Sequence, residues 1–480
     1  MNKKQVEVSN TQNITGSAAD KKDSNTITQK EPIAAIATPV GEGGIAVIRV
    51  SGKNSIELVD SIFRGKDLAD VSSHTVHFGK ILNQNRVVDE VLATVFRSPK
   101  SYTGEDAVEI SCHGGVLVTQ EVLETILTSN VRAAEPGEFT ERAFLNGKMD
   151  LSQAEAVADL IHAKSKKAVD AANQQLEGQL GEHVRNFRQD IIDATALVEL
   201  ELDFSEEDVE FADYEHLKEL LTDLDREIDR LLETYETGRL VKHGVKTVFV
   251  GLPNAGKSTL LNTLLGKERA IVTKIAGTTR DTIDADWSYE GLRFTLTDTA
   301  GMRQTDDVIE AEGVKRSQKA IEEADLVVYL NDLSRALTQE EQEMMNSYRK
   351  EAGNTPFILV GTKWDIEMDT EEQRLDYDLK ISALEQQNID PLKKLMKERV
   401  LEGKQYDSTS TLVTSSRHRN ALNETQKHLR SALQGIDQQL PGDLLSIDLR
   451  SALKSLGEIT GEITTEDLLD SIFSRFCIGK

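Results

Sequence analysis

From Pro32 to about residue 145 the apolar residues fall in short runs, among them "IAAIAT", "GIAVIRVSG" and "EVLATVF", separated by Gly, Pro and Asn. Runs of that length and β-branched content predict strands, and the region reads as an α+β domain. From about Asp150 to Thr237 proline is absent, and Ala, Leu, Gln and Glu recur at helical spacing, as in "LSQAEAVADLIHAKSKKAVDAANQQLEGQL". Beginning at Gly244, apolar runs alternate with helical stretches: "KTVFVG", "RFTLTDTAG", "ADLVVYLND", "PFILVGTKWD" and "DLKISAL". That alternation predicts an α/β domain with a mainly parallel sheet wrapped by helices. After about Leu401 helical spacing returns in "ALNETQKHLRSALQGIDQQL" and "DLLSIDLRSALKSLGEIT". The two helical stretches are expected to pack together, with the α/β domain inserted between them. The expected divisions are 31–148, 149–243, 244–401 and 402–480. Residues 1–30 are polar, without aromatics or apolar periodicity, and are expected to form a disordered extension.

Composition changes this picture only at the level of partners. A chain of 480 residues exceeds what one core organises. No apolar run approaches the ~20 residues of a membrane span. Cys112 and Cys477 lack metal-ligand spacing and no secretory signal precedes them, so a reducing, cytoplasmic setting is expected. The 56 basic residues are outnumbered by 82 acidic ones, a net charge of −26. Bulk charge therefore argues against nonspecific adhesion to nucleic acid, and an RNA partner has to be met by a local basic patch. "KSKK" (164–167) and "RLVKHGVK" (239–246) are the candidates, while the acidic "VELELDFSEEDVEF" (198–211) reads as solvated helix surface and connecting turn.

The chemistry is carried first by "GLPNAGKS", Gly251 to Ser258, between the β-run "KTVFV" and the helical "TLLNTLLG". In that context GxxxxGKS is a phosphate-binding loop. Its glycines let backbone amides converge on phosphate at a helix N-terminus, Lys257 neutralises the outer phosphates, and the Ser258 hydroxyl can ligate magnesium. "GTTRD" (277–281) offers Thr279 to complete the magnesium shell when a third phosphate is bound. "DTAG" offers Asp298 as a metal-side carboxylate and Gly301 as an amide donor to that phosphate. "TKWD" (362–365) follows a β-run and presents Asp365 to the paired N1 and N2 donors of guanine, an edge adenine lacks. "SAL" (382–384) closes the base pocket. Each short motif is weak alone; five in order, in the right elements, are strong.

Met302 follows "DTAG" where a water-orienting polar side chain is expected, and a thioether cannot orient water. Asp306, Asp307 and Glu310 are the nearby acids that could, although Glu310 also suits the start of the helical "EAEGVKRSQKAIEEA".

Together with these motifs, "TPVGEGGIAVIRVSG" (38–52), "SYTGEDAVEISCHGG" (101–115), "EPGEFTERAFLNGKMDLSQAEAVADLI" (135–161) and the terminal "FCIGK" (476–480) carry a resemblance. From about residue 32 to the C-terminus the chain resembles the GTPases that modify the wobble uridine of certain tRNAs, the tRNA 5-carboxymethylaminomethyluridine GTPase family. The resemblance implies an N-terminal folate-binding and dimerising domain, a helical domain from two separated segments, and an inserted G domain. It selects Glu310 as the residue that orients water. It also implies a potassium ion in place of an arginine finger, held by the Asn254 side chain, the Thr273 and Ile275 carbonyls, and Thr278. A fixed cation there would stabilise charge developing on the phosphates. The nucleotide-contacting set then comprises Asn254, Ala255, Gly256, Lys257, Ser258 and Thr259; Thr273, Lys274, Ile275, Ala276, Gly277, Thr278 and Thr279; Asp298, Thr299, Ala300 and Gly301; Thr362, Lys363, Trp364 and Asp365; and Ser382 and Ala383. Two positions depart from the family: Thr362 where Asn is usual, and Lys274 where an acid is common in the potassium loop.

For the folate, taken as 5,10-methylenetetrahydrofolate or 5-formyltetrahydrofolate, the resemblance implies Arg49, Glu109, Lys148 and Lys480. A carboxylate can grip the pterin donor edge, and cations suit the acidic tail. Read alone, Arg49, Glu109 and Lys148 would be a strand-edge arginine, a solvent-facing strand carboxylate and a helix-start lysine. Glu135 replaces an arginine frequent in the family. Cys477, in a tail expected to be mobile, could take part in one-carbon transfer or be a small apolar side chain. Cys112 precedes His113 on a strand, where adjacent side chains face opposite ways, and reads as structural.

The resemblance further implies a homodimer, a flavoprotein partner completing a heterotetramer or larger complex, tRNA as substrate, and no membrane. The absence of a GxGxxG fingerprint suits a partner that holds the flavin. A GTPase switch in ribosome assembly would need an RNA-binding appendage such as a GxxG module, and residues 401–480 show none. A mechanochemical GTPase at membranes would need a lipid-binding amphipathic or basic tail, which is also missing.

Overall fold

The computed structural model describes residues 31–203, 214–266, 284–298, 318–366, 375–402 and 411–480, with backbone only at 200–203, 284, 297 and 298. The extension expected at residues 1–30 lies outside the described residues, as does most of the acidic stretch after Asp203. The chain divides into two compact units, one of Met1–Glu155 with Thr464–Lys480 and one of Ala156–Ile463.

The first unit is built on a seven-stranded sheet. Its strands are β1 (Ile33–Ile36), β2 (Ile45–Ser51), β3 (Phe63–Arg64), β4 (Thr75–Asn83), β5 (Arg86–Phe96), β6 (Ala107–His113) and β7 (Arg132–Ala133), in the order β3-β4-β5-β6-β2-β1-β7. All neighbours are antiparallel except β1 and β7. Strand β2 shows why the sequence folds so: Ala46, Ile48 and Val50 are buried in the core, while Val47 and Arg49 take the other face. Helices α1 (Ser55–Asp60) and α2 (Val116–Leu127) add Ile56, Val59, Val122 and Ile126 to that core.

Helix α3 (Glu138–Leu145) starts from Gly137, whose φ is 74°. A Cβ there would come 2.6 Å from the Phe473 carbonyl oxygen, so only glycine lets the C-terminal segment approach. Within the expected division at 402–480, that segment packs with the first unit. The final helix (Glu466–Phe473) and the residues after it belong to the first unit, because Ile472, Phe473 and Phe476 bury their apolar surface there. The "CIGK" tail is held rather than loose: Ile478 bridges Pro136, and a Cβ on Gly479 would lie 2.3 Å from the Ile36 carbonyl oxygen.

The second unit contains helices α4 (Leu151–His162, from Ala156 onward), α5 (Lys166–Leu176), α6 (Gln179–Asp203), α7 (Tyr214–Glu233) and α8 (Tyr235–His243). A six-stranded sheet follows, of β8 (Val245–Val250), β9 (Asp284–Tyr289), β10 (Leu292–Asp298), β11 (Leu326–Asp332), β12 (Phe357–Thr362) and β13 (Leu379–Lys380). Their order is β13-β12-β11-β8-β10-β9, parallel apart from the β9–β10 hairpin. Helices α9 (Lys257–Leu265), α10 (Gln339–Ala352) and α11 (Ile389–Leu401) accompany the sheet. Two apolar layers flank it, one around Phe249, Leu260 and Val360 and one around Val248, Tyr329 and Met345. Helices α12 (Ser416–Asp437) and α13 (Gly442–Thr460) then pack on α6 and α7 in one core containing Val184, Leu221, Leu429 and Leu449. The two helical stretches therefore join around the sheet domain, as their shared periodicity implies. The return strand of chain crosses α8 at Gly238, where a Cβ would meet the Val413 carbonyl oxygen at 2.3 Å. No described helix is long and apolar enough to cross a membrane.

Candidate functional sites

Strand β8 is buried on both faces, as a central parallel strand requires, and it ends where the glycine loop begins. Gly251 has φ 144°, and a Cβ on it would sit 2.3 Å from the Leu330 carbonyl oxygen of β11. Asn254 and Gly256 also have positive φ, 64° and 90°. The loop thus folds tightly enough to turn its amides toward the start of α9, an end that no side chain caps. Lys257 is 8% exposed, and its ammonium donates to the Gly251 and Leu252 carbonyls at 2.7 and 2.8 Å, curling over the loop. Asn254, Ser258 and Thr259 are exposed, and Ala255 is buried.

The base loop starts at the end of β12. Thr362 is buried, and its hydroxyl reaches the Ala255 carbonyl at 2.8 Å and the Asn331 carbonyl at 3.0 Å. Lys363 has φ 58° and places Nζ 2.6 Å from Oδ2 of Asp332. Burial alone would raise the Asp332 pKa; the Lys363 ammonium and the Ser334 hydroxyl and amide outweigh it and hold the carboxyl below its ordinary range. Trp364 and Asp365 lie exposed in a single 3-10 turn. Ser382 is buried, accepting from the Glu385 amide at 3.1 Å, and the Ala383 carbonyl accepts from Thr263 of α9 at 3.0 Å. Three loops separated in sequence are therefore tied together at the C-terminal ends of parallel strands, where ligands of α/β sheets bind.

Thr273, Lys274, Ile275, Ala276, Gly277, Thr278, Thr279, Thr299, Ala300, Gly301, Met302, Asp306, Asp307 and Glu310 lie outside the described residues. Asp298 is placed by its backbone, as the last residue of β10 in register with Phe249. Sequence reasoning missed Asp332, Asn331 and Thr263. The first two end the strand "ADLVVYLND" next to β12, and that position was the available signal.

In the first unit, Arg49 and Glu109 face each other directly across β2 and β6. Nε of Arg49 donates to Oε1 of Glu109 at 2.9 Å. The guanidinium lies over the Tyr102 ring, 4.9 Å from its centroid, and near that of Phe139 at 5.7 Å. Neither aromatic was foreseen, since nothing local marks them. Tyr102 is itself fixed by Thr140 at 2.9 Å, and burial raises its pKa. Lys480 belongs to the same group: burial lowers its pKa, the Arg49 charge adds to this, and Glu109 opposes. Among the described residues, Nη1 of Arg49 is buried without a hydrogen-bond acceptor. Lys148 is engaged elsewhere, its Nζ donating to the Pro99 carbonyl at 3.0 Å. Cys477 is exposed, and its carbonyl accepts from the Lys480 amide at 3.3 Å. Cys112 is buried, its Sγ 3.6 Å from the Ala46 carbonyl, whereas the exposed His113 pairs with Asp89 at 2.6 Å.

These features define a phosphate-loop nucleotide-binding domain set within a helical domain, in a chain that also carries a separate α+β unit. The family model described as "GTP-binding protein TrmE N-terminus" matches residues 32–148, and that described as "MnmE helical domain" matches 151–477. The tRNA modification GTPase MnmE of Cytophaga hutchinsonii is 48% identical over 453 residues, 94% of this chain and 98% of that protein. The protein of the same description from Salinibacter ruber is 48% identical over 461 residues, 95% of this chain and 100% of its own. The chain belongs to this family of tRNA modification GTPases.

Proposed function

We propose that the chain hydrolyses GTP and couples this to installing a carboxymethylaminomethyl- or aminomethyl-type group on C5 of the wobble uridine of certain tRNAs. It acts in the cytoplasm as a homodimer, with a flavoprotein partner in a heterotetramer or larger complex. The observation that carries the reading is the Thr362 hydroxyl joining the base loop to the phosphate loop, in a chain of this family. The preference for guanine rests on the exposed Asp365 carboxylate, and the β- and γ-phosphates fall to Lys257 and the amides of residues 254–259.

Asn254 and Ser258 are both exposed beside the glycine-lined turn, as side chains that meet a cation must be. Magnesium would be held by Ser258 and Thr279, and potassium by Asn254, Thr273, Ile275 and Thr278. These ions supply positive charge against the phosphates as charge develops there. Glu310 orients the attacking water, the work Met302 cannot do. In the first unit, the orphaned Arg49 Nη1 calls for an acceptor, which a folate offers through its pterin oxygen or carboxylates. Glu109 would take the donor edge, with Lys148 and Lys480 toward the acidic tail and Cys477 beside the one-carbon unit.

The test has two arms. GTP turnover by the purified chain should be faster in potassium than in sodium and should collapse in Glu310→Ala while nucleotide binding persists. Wobble nucleosides from cells lacking the protein, analysed by mass spectrometry, should lack the modification. Equal turnover in both salts would remove the potassium site; intact wobble nucleosides would remove the tRNA role.

A further inference from the structure

Lys164, Lys166 and Lys167 lie at the start of α5, and Lys393, Lys394 and Lys397 lie on α11, more than two hundred residues later. The β9–β10 hairpin brings the two groups onto one surface. The Lys167 amide donates to the Gly291 carbonyl at 3.3 Å, and the neighbouring Glu290 pairs with Lys397. Lys393 holds its Nζ 5.9 Å from the Trp287 ring centroid, and Lys164 reaches Asp286 at 3.7 Å. Lys394 and Lys397 border a recess of about 290 Å³ together with Glu290, Glu398 and Leu401.

Folding does not explain this concentration of charge. The carboxylates Asp286, Glu290, Asp390 and Glu398 pair with Lys164, Lys397, Lys393 and Lys394, and Glu290 also acts on Lys167. Among the described residues no carboxylate pairs with Lys166, which is exposed. Lys166 and Lys167 occupy the first turn of α5, which holds no acid, although the helix dipole disfavours cations there. The Lys167 pKa is lowered, by burial first and then by the Lys397 ammonium. All this stands in a chain whose net charge is −26. Among the described residues of α5, the hairpin and α11, no large apolar side chain is exposed, so the surface offers a lipid bilayer nothing to bury.

We propose that this lysine strip receives the ribose-phosphate backbone of the tRNA, an inference that rests on the tRNA role given above. Lysines on separate elements can follow a run of phosphates, and counterion release drives the contact despite the acidic bulk of the protein. The strip joins the helical domain to the hairpin whose second strand ends at Asp298.

The full chain, Lys166→Glu/Lys394→Glu, and a control of equal charge change on α12 and α13, Lys427→Glu/Lys454→Glu, are titrated with an unmodified tRNA transcript bearing a wobble uridine, across a salt series. The strip variant should bind at least ~10-fold more weakly near 0.1 M salt, with a salt slope lower by about one per lysine lost. Melting temperature and basal GTP turnover should match the unaltered chain, and the milder Lys166→Gln/Lys394→Gln pair should fall in between. Binding equal to the unaltered chain, or an equal loss in the α12/α13 control, overturns the strip. If the unaltered chain with its partner present does not bind tRNA at all, the tRNA role itself fails, which is a separate outcome.

Discussion

The hydroxyl of Thr362 lies 2.8 Å from the carbonyl oxygen of Ala255, so a single proton links the base loop to the phosphate loop. The same hydroxyl is 3.0 Å from the Asn331 carbonyl, so its one proton lies between two acceptors. Thr362→Val keeps the shape and removes the donor. Removing a donor from a buried acceptor costs about 1–3 kcal/mol. Melting temperature should drop, and GDP and GTP affinity should fall by a similar factor, whereas Thr362→Ser should retain both. Fluorescent-nucleotide titration with thermal melting checks this; unchanged affinity in the valine variant would mean the loops are held by other contacts.

Gly251→Ala tests the loop from its other end. The residue has φ 144°, and the new methyl would lie 2.3 Å from the Leu330 carbonyl oxygen, a rigid strand atom. Backbone strain alone costs about 1–3 kcal/mol. The variant should lose nucleotide binding and melt earlier; retention of both would show that the loop can re-form around a side chain.

The pairing of Arg49 with Glu109 predicts a separable defect. Their side chains are 14% and 29% exposed, so screening places the cost of Glu109→Gln at about 1–2 kcal/mol, below that of a fully buried pair. Urea unfolding should show this loss. Calorimetric titration with 5-formyltetrahydrofolate should weaken, while GTP turnover stays normal. A variant with weakened turnover and normal folate binding would contradict the division of chemistry between the two units.

Glu141 gives the pH dependence. Burial, then the Glu138 and Asp470 charges, push its pKa from 4.5 up to about 6. Because the folded state holds this proton more tightly than the unfolded chain, the group's stabilisation is complete below about 4.5 and is lost as pH rises through about 6. Glu141→Gln should therefore raise the melting temperature at pH 7.5, by an equivalent of about 1 kcal/mol once its partial exposure is discounted. The gain should close as the pH falls to 4.5, the ordinary value for this group. Melting curves across this range decide it, and a gain that is constant with pH would locate the effect elsewhere.

The sequence carried the order of elements and the motif residues. Helical spacing in residues 150–237 and after 401, and the β-runs from Gly244, were enough to place an α/β domain between two helical stretches, because amphipathic periodicity is local. The phosphate loop was legible for the same reason: its glycines, lysine and serine are consecutive. What was not legible came from partners distant in the chain. Asp332 beneath Lys363, Tyr102 and Phe139 around Arg49, and Thr263 on the Ala383 carbonyl have no spacing that marks them. The packing of Thr464–Lys480 with the first unit is not legible in the sequence, because the final helix has the same periodicity as those before it. Only its buried face, Ile472 and Phe473 on the first unit, tells which core it joins.

By itself, then, the sequence determined the identity of the elements, the phosphate loop and the carboxylate proposed above to read guanine, since each is written in a contiguous stretch. The tertiary structure alone decided which loops share a hydrogen bond, which aromatic rings cover the Arg49 guanidinium, and that two lysine clusters over two hundred residues apart share one surface. Such contacts depend on strand order and helix packing, which bring together side chains that no local pattern couples.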